Sequence, residues 1–319
     1  MMRRCFLLAA ALCLLLSCGP RNNKKNAPVA KRDFPAAEIP VMFTEPQERM
    51  DWLVAHFWDR FTNPDKEYAC DSLTVNGISL ENLDRQMGVY TTLLQEVSLK
   101  DGMHSVETLY NRLDAFQRAH PESNILPQTA ALVAHYLYDP NSPNRSEDLY
   151  LPFVRALSQS DLIDASYRMG YAWDTANCEK NRIGTPAADF TFIDTKGRKR
   201  TLYSIKAQQI LLIFGNPDCT ACRELMEQMS ESPEMDALID SGNLKVVDIY
   251  IDQEIEDWKK RAGNFPTRWI NGYDPSYTIR TELIYNVRAI PSLYLLDEEK
   301  NVVLKDVPIE RFFEYAQNH

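Results

Sequence analysis

Cys219-Thr220-Ala221-Cys222 sets two thiols three residues apart. They fall between an apolar run, Ile210 to Phe214, and a stretch of helix-compatible residues, Arg223 to Met229. A dithiol at a strand-to-helix junction is suited to thiol–disulfide exchange. The unpaired N–H groups and the positive dipole end of a helix start stabilise a thiolate, and can lower its pKa from about 8.5 into a range of about 3.5–7.5. Cys219, at the helix start, is the nucleophile of such a pair, and Cys222, one turn further in, is the resolving thiol.

The segment around the dithiol alternates between strand and helix signals. Strands are expected at Phe190 to Ile193, Arg200 to Tyr203, Ile210 to Phe214, Leu244 to Ile251, Ser292 to Leu296 and Val302 to Lys305. Helices are expected after Cys219, around Tyr277 to Tyr285 and from Ile309 to Gln317. Trp269 to Asp274 reads as an aromatic, turn-forming loop. Such alternation places helices on the faces of one sheet.

From about residue 40 to 178 the apolar spacing is helical instead. Met50, Leu53, Val54, Phe57, Trp58 and Phe61 recur at three- and four-residue steps, and Ser79 opens a second such run. Ser105 is read as the start of a third and Gln128 to Tyr138 as a fourth. Two more cover Glu147 to Ser158, interrupted near Pro152, and Asp161 to about Trp173. The chain is therefore α+β overall: an all-α domain over residues 40–178, then an α/β domain over 183–319 with helices flanking a central sheet. His56, His104, His120 and His135 have no metal-ligand spacing, and neither a metal nor a cofactor is expected.

At the other end, Arg3 and Arg4 precede an apolar stretch, Phe6 to Leu16, that is too short to span a bilayer. Residues 1–17 read as a secretory signal. Leu15-Leu16-Ser17-Cys18 resembles the lipobox of bacterial lipoproteins, which makes Cys18 the lipidated residue and residues 18–39, polar and rich in proline, a tether. The expected location is the cell envelope, facing the periplasm, with the outer membrane preferred over the inner. Losing Arg3 and Arg4 takes the net charge from −10 to about −12, which argues against nucleic acid as a partner. Of the seven cysteines, Cys70 and Cys178 remain outside the signal, the lipid site and the dithiol. They either pair or are separately buried as small apolar residues.

Gly184-Thr185-Pro186-Ala187-Ala188-Asp189-Phe190, the strand leading into the Cys219/Cys222 motif, and Val287-Arg288-Ala289-Ile290-Pro291-Ser292 together resemble the thioredoxin superfamily, specifically TlpA/ResA-like thiol–disulfide oxidoreductases. The resemblance covers residues 183–319. It implies a thioredoxin-like mixed sheet, a cis Pro291 lying against the dithiol, and backbone groups of Ile290 offered to a substrate chain. Protein disulfides are the implied substrates, with reduction the favoured direction and a membrane reductase as electron donor. The helical region resembles modules found ahead of such domains in exported lipoproteins.

The chain also departs from that family. Asp218 stands where many members have tryptophan, and a carboxylate there opposes thiolate formation at Cys219. The buried acid that thioredoxin carries six residues before its first cysteine is here Ile213, and a glutamate three residues after the second cysteine in related proteins is here Leu225. No proton acceptor for Cys222 is visible, since Glu224 is expected to face solvent. Residues 212–219 lack the context of a peroxidase thiol. A non-enzymatic binding lipoprotein with a redox-slow domain is the main alternative, and a metal chaperone using the same thiolates a third.

Overall fold

The computed structural model describes residues 31–318 apart from 65, 69, 70 and 72. The expected signal, Cys18 and Cys70 lie outside the described residues.

Helical periodicity in the first half resolves into α1 (Pro46–His56), α2 (Asp59–Thr62), α3 (Leu80–Leu93), α4 (Leu99–Ala119), α5 (Ile125–Leu137), α6 (Glu147–Gln159) and α7 (Ala165–Cys178). Their apolar stripes converge on Phe61, Tyr90, Leu113, Val133 and Phe153, all buried. Ser79, Ser98, Ser146 and Asp164 cap α3, α4, α6 and α7 by accepting backbone N–H bonds, each contributing about 1 kcal/mol. α4 therefore begins six residues before Ser105. That serine is buried inside α4, where its hydroxyl donates to Val54 O (2.8 Å) and bonds Tyr90 Oη (2.8 Å). Pro152 lies within α6 without ending it.

The module is not wholly helical. β1 (Thr74–Val75) and β2 (Ile78–Ser79) form a hairpin. Its turn, Asn76-Gly77, has φ of 49° and 78°, the pair of positive values that a type I′ turn requires. Within the stretch expected as a tether, Phe34 packs on Phe57, Trp58 and Phe61, and Arg32 Nε donates to Asn76 O (2.9 Å).

The second half builds a mixed seven-stranded sheet among the described residues, in the order β4-β3-β7-β6-β5-β8-β9. The strands are β3 (Thr191–Asp194), β4 (Lys199–Thr201), β5 (Gln209–Gly215), β6 (Leu244–Tyr250), β7 (Ile270–Tyr273), β8 (Ser292–Leu296) and β9 (Val302–Lys305). Its helices are α8 (Thr220–Ser230), α9 (Pro233–Asp240), α10 (Ile255–Arg261), α11 (Thr278–Thr281) and α12 (Ile309–Asn318). β5 runs parallel to β6 and antiparallel to β8. Both of its faces are covered. Ile210, Leu212 and Phe214 enter one core, whereas Leu211 and Ile213 enter the other with Leu225 and Met229 of α8.

The loop expected at Trp269 to Asp274 is instead largely strand β7, paired to β6 and β3. Gly272 makes this possible, because a Cβ there would stand 2.5 Å from Phe192 Cδ2 and 2.9 Å from Ile193 O. The helix expected over Tyr277 to Tyr285 shortens to the single turn of α11. α9 and α10 had no counterpart among the expected helices.

The two units meet through buried charge. Glu147, at the start of α6, lies near Lys305 of β9 and Arg288, and Arg288 pairs with Asp306. Arg182 bonds Asp148 (3.2 Å), and Arg311 of α12 donates to Gln95 Oε1 (3.0 Å). Cys178 is a free, buried thiol whose carbonyl accepts from Lys305 Nζ (2.8 Å).

Candidate active site

β5 delivers the chain to Asn216, where a short loop turns it into α8. The loop is tied down at both ends. Asn216 Oδ1 accepts from Asp218 N (2.8 Å), its carbonyl accepts from Cys219 N (3.0 Å), and its Nδ2 donates to Asp252 Oδ2 (2.7 Å). Asp252 in turn pairs with Arg280, which donates to Val287 O. The segment before the dithiol and the segment before Ile290 are thus linked through one carboxylate.

Cys219 occupies the N-cap of α8. Its sulfur accepts from Cys222 N at 3.3 Å, the contact that stabilises a thiolate at a helix start. It also lies 3.7 Å from Ile290 O. Cys219 is partly exposed, and Cys222 is buried. Burial pushes the Cys222 thiol well above its ordinary range, so it waits as the protonated partner. Asp218 is drawn aside by an ion pair to Arg261 (2.5 Å).

The Ile290–Pro291 bond is cis. Pro291 lines a small crevice together with Cys222, Ile213, Leu225 and Trp269. The structure therefore brings together the four residues singled out in this domain: Cys219, Cys222, Ile290 and Pro291. Trp269 is packed into the core beside Met229 and does not project as a free aromatic. Glu224 is exposed.

One residue of this site escaped sequence reasoning. Asp248, in the middle of β6, lines the same crevice as Cys222. Gly215 separates the two, since a Cβ on it would stand 3.3 Å from Asp248 Oδ1 and 3.8 Å from Cys222 Sγ. Burial raises the Asp248 carboxyl to about 7. The signal was present in the sequence: a lone carboxylate inside Leu244-Lys245-Val246-Val247-Asp248-Ile249-Tyr250, where strand alternation directs it to the side of Leu244 and Val246. What the sequence does not show is that this face is the one covered by α8.

No cluster of three or more potential metal ligands occurs among the described residues, and none of their helices is long and apolar enough to cross a membrane.

Comparison with known proteins places this arrangement. Residues 17–181 match a family model described as a domain of unknown function, DUF5106. A thioredoxin-like protein from Bacteroides caccae is 33% identical, with a TM-score of 0.77, over 90% of this chain and 99% of its own. The C-terminal domain of an uncharacterized protein from Bacteroides fragilis is 42% identical over 43% of this chain and 98% of its own, with a TM-score of 0.42. The thioredoxin domain of a thiol-disulfide oxidoreductase from Bacteroides vulgatus is 23% identical over 43% of this chain and 96% of its own, with a TM-score of 0.38. No curated protein matches the sequence.

The fold is that of a thioredoxin-like protein. This chain belongs to the thioredoxin-like family and carries a DUF5106 module ahead of the thioredoxin-like domain.

Proposed function

We propose that the protein is an envelope thiol–disulfide oxidoreductase that reduces protein disulfides with Cys219 and Cys222, anchored by lipid on Cys18 and facing the periplasm. The observation that carries the exchange chemistry is the pairing of a partly exposed Cys219 sulfur on the Cys222 N–H (3.3 Å) with a buried Cys222. Cys219 attacks a substrate disulfide to give a mixed disulfide. Cys222 then attacks Cys219, closing the intramolecular disulfide and releasing reduced substrate.

The Ile290 carbonyl, 3.7 Å from Cys219, stands where an incoming chain would lie beside the sulfur. Ile290 and Pro291 are assigned to substrate binding on that ground. Next to the crevice an open groove of about 610 Å³ runs past Pro217, Arg223, Met226, Phe265 and Trp269, enough surface for an extended polypeptide segment.

Reduction is the direction implied by the resemblance of the Ile290-Pro291 segment to thioredoxin. Regeneration then needs electrons, and a membrane reductase is the proposed donor. Anchoring rests on Leu15-Leu16-Ser17-Cys18 and the basic start of the chain. The test is reduction of insulin disulfides by protein lacking residues 1–18: turnover with the wild type and none with Cys219→Ser is expected, and equal turnover in both would refute the assignment. Labelling with palmitate in cells, lost in Cys18→Ala, tests the anchor.

A further inference from the structure

Asp248 makes no hydrogen bond or ion pair with the other described residues, although its side chain lines a crevice under α8 with Leu225, Met226, Phe265 and Trp269. A half-buried carboxyl facing a mostly apolar crevice costs stability, and such groups concentrate at functional sites. Its neighbours on the flanking strands are Ile213 of β5 and Asn271 of β7, neither of which carries charge. The crevice it lines has a volume of about 20 Å³, room for about one water. The titratable or charged groups around that space are Cys222, Asp248 and Arg223. Arg223 is occupied with Pro217 O and Thr220 Oγ1, both at 3.2 Å. Ile213 and Leu225, the positions where related proteins carry an acid, are both apolar walls of this same crevice.

We infer that Asp248 is the proton acceptor for Cys222, supplied from the neighbouring strand in place of the acid absent at Ile213 and Leu225. The inference rests on the dithiol exchange proposed above. In the mixed disulfide, the Cys222 thiol gives its proton to the Asp248 carboxylate, directly or across one water. The Cys222 sulfur then forms a bond to Cys219 Sγ. The bond from Cys219 to the substrate sulfur breaks, and its electron pair leaves on the substrate, which is protonated by the Asp248 carboxyl or by solvent. The substrate disulfide gains the two electrons that the dithiol loses. Gly215 keeps the path open, because any side chain there would stand between the carboxyl and the thiol.

The experiment is stopped-flow reaction of the reduced protein with DTNB, which releases one coloured thiolate when Cys219 attacks and a second when Cys222 resolves the mixed disulfide. In Asp248→Asn the first phase is expected to stay within about twofold of wild type, and the second to slow about 10²-fold near neutral pH. The wild-type second phase should rise through about pH 7, where the Asp248 carboxyl ionises. Asp248→Asn should lack that inflection, and Asp248→Glu should restore it. A second phase in Asp248→Asn that matches wild type across this range overturns the assignment. So does equal slowing of both phases with the inflection retained, because that marks a structural effect. If both phases behave as expected but the wild type fails to reduce insulin, the role of Asp248 stands and the protein-disulfide substrate is what fails.

Discussion

Glu147 Oε2 lies 2.9 Å from Lys305 Nζ, and both side chains are almost wholly buried where the helical module meets the thioredoxin-like domain. The lysine directs its hydrogens to the carbonyls of Cys178 and Lys180 (2.8 and 2.6 Å), while Glu147 Oε1 accepts from Asn286 (2.6 Å) and Arg288 (3.1 Å). Arg288 also stacks over the Tyr138 ring. It stands two residues before Ile290, so a glutamate of the helical module helps fix the backbone that approaches Cys219.

Removing one member of this cluster leaves the other charges buried and uncompensated. Glu147→Ala should cost about 3–5 kcal/mol in urea unfolding. Glu147→Gln keeps a group able to accept from Asn286 and should cost less. Loss of stability below about 1 kcal/mol in Glu147→Ala would show the contact to be slack in solution.

The two thiols should be separable by substitution. Cys222→Ser is expected to accumulate a Cys219 mixed disulfide with substrate, visible on a non-reducing gel and removed by dithiothreitol. Cys219→Ser should form none, because Cys222 is buried. Trapping through Cys222 in the absence of Cys219 would reverse the assigned order of attack.

Asp248 should also tie stability to pH. Its carboxyl titrates at about 7 in the folded protein and about 3.9 in the unfolded chain. The folded state thus favours the protonated form, and its contribution to stability is greatest below the unfolded value. It is lost as pH rises between the two values and is constant above the folded one. Asp248→Asn should therefore gain on wild type between about pH 4 and about pH 7, by up to about 4 kcal/mol. Parallel stability curves for the two proteins would contradict the burial of this carboxyl.

Gly272→Ala should destabilise the sheet where β7 meets β3. The added methyl meets Phe192 Cδ2 at 2.5 Å and the Ile193 carbonyl at 2.9 Å, and backbone cannot move aside cheaply. A loss of about 1–3 kcal/mol in thermal or urea unfolding is expected, with the dithiol still alkylated at the wild-type rate. An unchanged midpoint would mean that β7 is not packed as described.

Much of the site could be read directly, because its chemistry is local in sequence. Cys219 and Cys222 share one turn, and Ile290-Pro291 is a dipeptide followed by a clear strand. Asp248 was hidden because its proximity to Cys222 arises from the parallel pairing of β5 with β6 and from the helix laid across them. Glu147 was hidden for another reason: an acid in the first turn of a helix reads as an ordinary partner of the helix dipole, and only the second domain buries it. The Asn76-Gly77 pair is a hairpin signal in the sequence, but its two flanking two-residue strands are too short to show alternation of their own. At Trp269 to Asp274 glycine and aromatics suggested a turn, whereas Gly272 is there to let β7 pass against Phe192.

The measurement that decides the account is the reduction potential of the Cys219/Cys222 pair in soluble protein lacking residues 1–18. It should be read by alkylation and mass spectrometry, with Cys70 and Cys178 followed separately. A value of about −250 mV or lower, close to that of thioredoxin, is expected for a reductase supplied by a membrane donor. A value of about −120 mV would make the protein an oxidant, and a pair that does not exchange with glutathione at all would contradict thiol–disulfide chemistry at this site.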